Sequence, residues 1–443
     1  MTVTRSPVDL AVLGAAAKVA AKRLAFTSTD VKNRALEGIA QGLVKHENAI
    51  LEANAQDYAA SKAEGLSEAM LDRLLLNHQR LEGMARDVLS VAGLPDPVGE
   101  FIEMRTMPNG MQVGRVRVPL GVIGAIYESR PNVTVDIASL CLKSGNAAIL
   151  RGGKEALRSN AALAKVVQDA CRSAGLPEGA VQFVANTDRA LVGQMLRMKD
   201  TIDLLVPRGG AELIRYVAEH ATMPVVTGGI GVCHTYVDVT ADLDKALRIV
   251  LNAKVRRPTI CNALDTILVH RGIAGKFLPG IAQQFAQAGV EMRCDPEAFA
   301  SITQPGLPAG RQGCSASADE GPPATVIRAT EDDWGKEFLA LVAAIKVVDS
   351  LDEALEHIDR YGSGHSEAIV TEDYSAAQRF LREVDAAAVY VNASTQFTDG
   401  GQFGLGAEVG ISTQKMHARG PMGLRELTSY KWIVLGDGHV RPL

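Results

Sequence analysis

The sequence predicts an α/β protein of two units, each a parallel sheet covered by helices. From Gly121 onward, short β-rich runs alternate with helical stretches in the order strand, turn, helix, which is the pattern of a parallel sheet with crossover helices. After "CHTYVDVT" (233–240) the alternation begins again, which places a division near residue 235. The length of 443 residues suits two or three domains. With 47% apolar and 22% charged residues the composition is that of a globular enzyme.

Taken in order, "SPVDLAVLGAAAKVAAKRLAF" (6–26) has Asp9, Lys18 and Lys22 breaking its apolar run, so it reads as an amphipathic helix and not as a signal segment. Residues 32–62 keep helical spacing. "RTMPNGMQVGRVRVPLG" (105–121) carries Asn109-Gly110 between extended runs, a hairpin signal. "GVIGAIYES", "AAILRG", "VQFVAN", "IDLLVP" and "MPVVTG" are the strands expected in the first sheet, with helices such as "SNAALAKVVQDACRSAG" between them. In the second unit a helix over 242–253 leads to "DTILVH", "EMRC", "AAIKVV", "SEAIVT" and "AAVYVNAS". Residues 303–325 are dense in Gly, Pro and Ser and read as a surface insertion, with Cys314 exposed and idle.

The net charge of −5, with no basic stripe, argues against a nucleic-acid or membrane surface. No apolar run is long enough to span a bilayer. Six cysteines placed singly, without a CxxC pair, suggest neither a disulfide scaffold nor a zinc site, so no metal is expected and the cytosol is the expected compartment.

The GxGxxG fingerprint is absent from the first unit. Instead "ILRGGKEA" (149–156) and "LVPRGGAEL" (205–213) each place Arg-Gly-Gly between strand and helix. Paired glycines such as Gly209 and Gly210 let backbone amides approach a phosphate, and Arg151, Lys154 and Arg208 add positive charge. The alternative is a tight turn with solvated side chains. Cys141 and Cys171 fall in helical apolar patterns, and Cys233 and Cys294 in strands. Cys261 alone follows a cationic, proline-marked loop, "RRPTIC", where Arg256 and Arg257 favour a thiolate. It is either a nucleophile or a structural thiol.

These stretches resemble the aldehyde dehydrogenase superfamily and, within it, the γ-glutamyl phosphate reductase family. The likeness runs through "VPLGVIGAIYESRPNVTVDIASLCLKSGNAAILRGGKEA", "TGGIGVCHTYVD", "RRPTICNALDTILVH", "ALEHIDRYGSGHSEAIVT", "VYVNASTQFTDGGQFGLGAEVGISTQKMHARGPMGL" and "LTSYKW". It implies an NADP-binding domain (1–104 and 121–234) and a catalytic domain (235–415). A β-flap (105–120 and 416–443) would pair with a neighbouring subunit in a homo-oligomer. It makes Cys261 the nucleophile, gives Glu337 the nicotinamide ribose, and makes Asn132 the oxyanion donor beside the Cys261 amide. Arg151 stands where the superfamily has a lysine on the adenosine ribose, which suits a 2′-phosphate and hence NADPH over NADH.

Ordinary aldehyde dehydrogenases carry a water-activating glutamate two residues before a Gly-Gly pair, where this chain has Val226-Thr227 before Gly228-Gly229. Without that base a thioester exchanges with phosphate and not with water. The implied reaction is NADPH-dependent reduction of L-glutamyl 5-phosphate to the semialdehyde, in proline biosynthesis, with glutamate 5-kinase a possible partner. Arg130, His365, Asn392, Ser394 and Thr395 are candidate contacts for the substrate's phosphate or α-carboxylate, or are structural. A hydrolytic aldehyde dehydrogenase and a catalytically inactive dinucleotide-binding relative are the alternative readings.

Overall fold

The computed structural model describes residues 9–226, 228, 230–303 and 325–441. Cys314 and nearly all of the Gly/Pro-rich insertion lie outside them, as do Thr227 and Gly229. The chain divides into two compact units, residues 1–228 with 400–443, and residues 229–399.

The first unit opens with α1 (Leu10–Leu24), α2 (Thr29–Lys45), α3 (Glu47–Ala63), α4 (Glu68–Leu74) and α5 (His78–Gly93). Helix α1 starts at Asp9, whose carboxylate accepts the Ala11 N–H at 2.9 Å, and it buries Ala17, Ala20 and Leu24. The hairpin follows as β1 (Phe101–Thr106) and β2 (Gln112–Pro119), with Gly110 at φ 91° in its turn. Then come β3 (Val122–Tyr127), α6 (Asn132–Lys143), β4 (Ala147–Gly152) and α7 (Leu157–Ala174). The unit continues with β5 (Val181–Phe183), α8 (Ala190–Met195), β6 (Leu204–Arg208) and α9 (Ala211–His220). These strands form a parallel sheet in the order β5-β4-β3-β6. "MPVVTG" is not a strand: Val225 makes a single bridge to Leu205, and Pro224 has no N–H with which to extend the ladder.

The second unit contains β7 (Cys233–Val237), α10 (Leu243–Val255), β8 (Leu264–His270), α11 (Arg271–Gln287), β9 (Glu291–Cys294) and α12 (Pro296–Thr303). After the insertion come β10 (Val326–Arg328), β11 (Val342–Val348), α13 (Leu351–Tyr361), β12 (Ser366–Val370), α14 (Tyr374–Glu383) and β13 (Ala388–Val391). Its parallel sheet has the order β10-β9-β11-β8-β7-β12-β13. Strand β10, three residues beside β9, was not legible next to the insertion.

The chain then re-enters the first unit as β14 (Ile411–Ser412), β15 (Gly420–Pro421) and β16 (Thr428–Leu435). Residues 400–415, expected with the second unit, therefore belong to the first. The Val409 N–H donates to the Met422 carbonyl at 3.0 Å, and both side chains join the first unit's core. Strand β16 pairs antiparallel with β2 along its full length, giving a sheet β1-β2-β16. Tyr430, Trp432, Val434 and Leu435 on β16 are exposed, as are Phe101, Ile102 and Met104 on β1. Among the described residues no helix is long and apolar enough to cross a membrane.

Candidate active site

In the first unit β3 lies between β4 and β6, so the order of strands reverses there. Ligands of open parallel sheets sit beyond the C-terminal ends of the strands at such a switch. Glu128, just past β3, ties this end together: its N–H donates to the Arg208 carbonyl at 3.0 Å and its carboxylate accepts the Gly210 N–H at 3.1 Å. A side chain at Gly209 would put its Cβ 2.4 Å from that carboxylate. At the other Arg-Gly-Gly turn, Glu155 accepts the Ser129 N–H (2.6 Å) and hydroxyl (3.1 Å), and a Cβ on Gly153 would lie 2.1 Å from it. Both turns expected to cradle phosphate thus hold the protein's own carboxylates.

The cations at this edge differ from one another. Arg151, on β4, is 8% exposed; one Nη donates to the Thr187 carbonyl at 3.4 Å, while its buried Nε has no partner among the described residues. A buried guanidinium N–H left unmatched in the protein fits an anionic ligand group, such as a dinucleotide phosphate. Lys154 instead lies at the surface, paired with Glu64 at 2.8 Å. Arg208 and Arg130 are half-buried.

Asn132 opens α6, and its amide donates to Asp136, one turn on, at 2.8 Å. Packing around the Asp136 carboxyl raises it to about 7; the Asn132 bond opposes this, Asp87 reinforces it, and Arg208 and Arg130 oppose it. Val226 is 5% exposed in this unit's core, and its N–H donates to the Leu205 carbonyl at 2.9 Å. It supplies no proton-accepting group.

In the second unit Cys261 lies in the loop between α10 and β8 and is half-exposed. The other described cysteines (141, 171, 233 and 294) are buried. Burial raises the Cys171 and Cys294 thiols to about 12, and those of Cys141 and Cys233 well above their ordinary value. Of the described cysteines, then, Cys261 alone is placed to react.

Its loop is held from several sides. Gly231 packs so tightly that a Cβ there would fall 1.9 Å from the Cys261 carbonyl oxygen. The same Gly231 donates its N–H to Glu337 at 3.1 Å, and the Cys233 thiol donates to the Cys261 carbonyl at 3.3 Å. The Asn262 amide donates to the carbonyls of Gln396 (3.3 Å) and Thr398 (3.0 Å), and the Thr395 hydroxyl donates to the Asn262 carbonyl at 2.7 Å. Gln396 accepts from Arg256 at 3.1 Å and donates to the Ala253 carbonyl at 2.8 Å. Gly231, Asn262, Gln396 and Thr398 were not singled out in the sequence; a Gln within "STQF" gave no chemical signal.

The remaining candidates also lie in the second unit. Ser394, 4% exposed, caps the turn that carries Thr395 by accepting the Gln396 N–H. His365 is 1% exposed and bonded to Ser366, and burial lowers it to about 4, so its ring is neutral. Asn392, at φ 56°, uses both ends of its amide on the Thr371 backbone, at 3.0 and 2.9 Å. The Asn392 amide is thus taken up by backbone, whereas the buried Nε2 of His365 has no partner among the described residues.

The model of the aldehyde dehydrogenase family matches residues 2–302 and 324–433. The gamma-glutamyl phosphate reductase of Dehalococcoides mccartyi (strain CBDB1) is 60% identical over 425 residues, 96% of each chain. That of Escherichia coli O1:K1 is 54% identical over 97% of this chain and 99% of its own. The crystal structure of the Thermotoga maritima gamma-glutamyl phosphate reductase superposes with a TM-score of 0.91 at 47% identity, covering 98% of this chain and all of that one. On the fold, the half-exposed Cys261 loop and these full-length likenesses, the chain belongs to the aldehyde dehydrogenase family and, within it, to the gamma-glutamyl phosphate reductases.

Proposed function

We propose that the chain reduces L-glutamyl 5-phosphate to L-glutamate 5-semialdehyde with NADPH and releases phosphate, the second step of proline biosynthesis from glutamate. The observation that carries this reading is a held, half-exposed cysteine in a chain whose hydrolytic-base position is an apolar core residue, Val226. The Cys261 thiolate attacks the acyl carbon, the bond from that carbon to the phosphate oxygen breaks, and the chain carries a thioester. When bound, NADPH supplies the hydride that reduces it. Asn132 and the Cys261 amide are the donors we assign to the resulting thiohemiacetal oxyanion, whose collapse returns the thiolate and the aldehyde. Glu337 is the residue we assign to the nicotinamide ribose and Arg151 to the 2′-phosphate, with Arg130 and Arg208 as cations for anionic groups.

The exposed aromatic edge of β16 supports association with a second copy of the chain. A cytosolic location and docking of the upstream kinase are consistent with this role. The test supplies the unstable acyl phosphate in situ from a glutamate kinase and ATP and follows NADPH oxidation. The parent should turn over, and Cys261→Ala should abolish turnover while NADPH binding and folding persist. Activity near that of the parent in Cys261→Ala would overturn the assignment.

A further inference from the structure

Asn132 uses one amide N–H on Asp136 at 2.8 Å; its second N–H and its carbonyl oxygen have no partner among the described residues. The two side chains share one face of α6, one turn apart. Asp136 also lines a cavity of about 10 Å³ with Asp87 and Ser139, close to the size of one water position. The Ser139 hydroxyl there is buried without a partner, while Asp87, across from it on α5, is exposed. We propose that Asp136 is a positioning residue for the reaction: its carboxylate fixes which way the Asn132 amide faces, so that gain or loss of one proton on Asp136 gates the oxyanion donor. The inference rests on the role given to Asn132 above.

An ionised carboxylate only accepts hydrogen bonds, so it admits the Asn132 amide nitrogen and repels the amide oxygen. A protonated Asp136 can donate to that oxygen, which makes the reversed amide equally acceptable and takes the donor out of place. The charged groups facing Asp136 are Asp87 from α5, Arg130 from the turn before α6 and Arg208 from the end of β6. With packing and Asp87 raising the carboxyl and the arginines lowering it, the proton exchanges near neutral pH, where it can affect turnover.

The test measures kcat and KM against pH for the parent, Asp136→Asn, Asp136→Glu and Asn132→Ala, with thermal melts to confirm folding. Asp136→Asn should lower kcat about tenfold and leave KM for the acyl phosphate within about twofold. It should also erase a fall in kcat on the acid side of about pH 7 that the parent shows. Asp136→Glu should restore that pH dependence, and it decides the matter if the Asn variant does not fold. Parent-like kcat and pH profile in Asp136→Asn, with Asn132→Ala impaired, would overturn the proposal alone. A reduced kcat with the acid limb intact would do the same, since it would show a structural role and leave the limb to another group such as Cys261. If Asn132→Ala itself turns over like the parent, the oxyanion assignment fails first and this proposal fails with it.

Discussion

The two parallel sheets place their candidate groups at opposite ends. In the first unit Glu128, Arg130 and Asn132 stand just beyond the C-terminal end of β3 and Arg208 is the last residue of β6, where the order of strands reverses. In the second unit Gly231, Cys261 and Glu337 stand before β7, β8 and β11, at the N-terminal edge. The second sheet has its own reversal, between β7 and β12, but the polar side chains at its C-terminal edge bond to one another and to backbone. Asp238 accepts the hydroxyls of Thr240 (2.7 Å) and Thr371 (2.8 Å), and Asn392 holds the Thr371 backbone. A C-terminal edge gathers helix N-termini and suits an anionic ligand. The proposed nucleophile, Cys261, instead lies in a turn at the other edge of its sheet, where its own carbonyl and that of Asn262 already accept hydrogen bonds.

Gly231→Ala should break the nucleophile edge most severely. Its Cβ would stand 1.9 Å from the Cys261 carbonyl oxygen, so the loop must move. A shift of about 1 Å costs on the order of 100-fold in rate, so kcat should fall at least that far in a variant that still folds. Parent-like kcat would show that the loop's placement is not critical. A smaller effect is expected at the first unit's edge. Arg151→Ala should weaken NADPH by about 1.5–3 kcal/mol, roughly 10- to 150-fold, and NADH far less, as isothermal titration can show. Lys154→Ala should do little, since that ammonium is exposed and paired with Glu64. Equal losses for both cofactors would mean that Arg151 only shapes its strand end.

Smallest in activity is Asn392→Ala, at the C-terminal edge of the second sheet. Losing two backbone bonds and placing Ala at φ 56° should cost about 1–3 kcal/mol of stability while leaving kcat within about twofold. A folded variant with collapsed kcat would show that this edge serves the chemistry after all.

Much of the architecture was legible because its signals are local. Alternating apolar runs marked the strands, Asn109-Gly110 marked the hairpin, and the proline-flagged loop set Cys261 apart from cysteines in periodic segments. What was not legible is which partner a given residue type takes in the fold. Arg-Gly-Gly suggested a phosphate cradle, but Glu128 and Glu155, each distant in sequence from one of the groups it bonds, occupy those turns. Asn392 spends its amide on the Thr371 backbone, and His365 gives its Nδ1 to Ser366 while its buried Nε2 has no partner among the described residues. The clamp from Thr395 to Thr398 on the Cys261 loop spans more than 130 residues of chain, beyond the reach of any local pattern. The place of residues 400–415 depended likewise on a non-local pairing, Val409 with Met422.

Cys261 is proposed to form a thioester that exchanges with phosphate because Val226 cannot activate water. This is tested most directly by running the reaction backwards, with NADP⁺ and the semialdehyde but no phosphate. A single burst of NADPH is expected, one per active site, followed by a stall that added phosphate or arsenate relieves, since hydride transfer precedes the blocked step. Sustained NADPH production without either anion would contradict it.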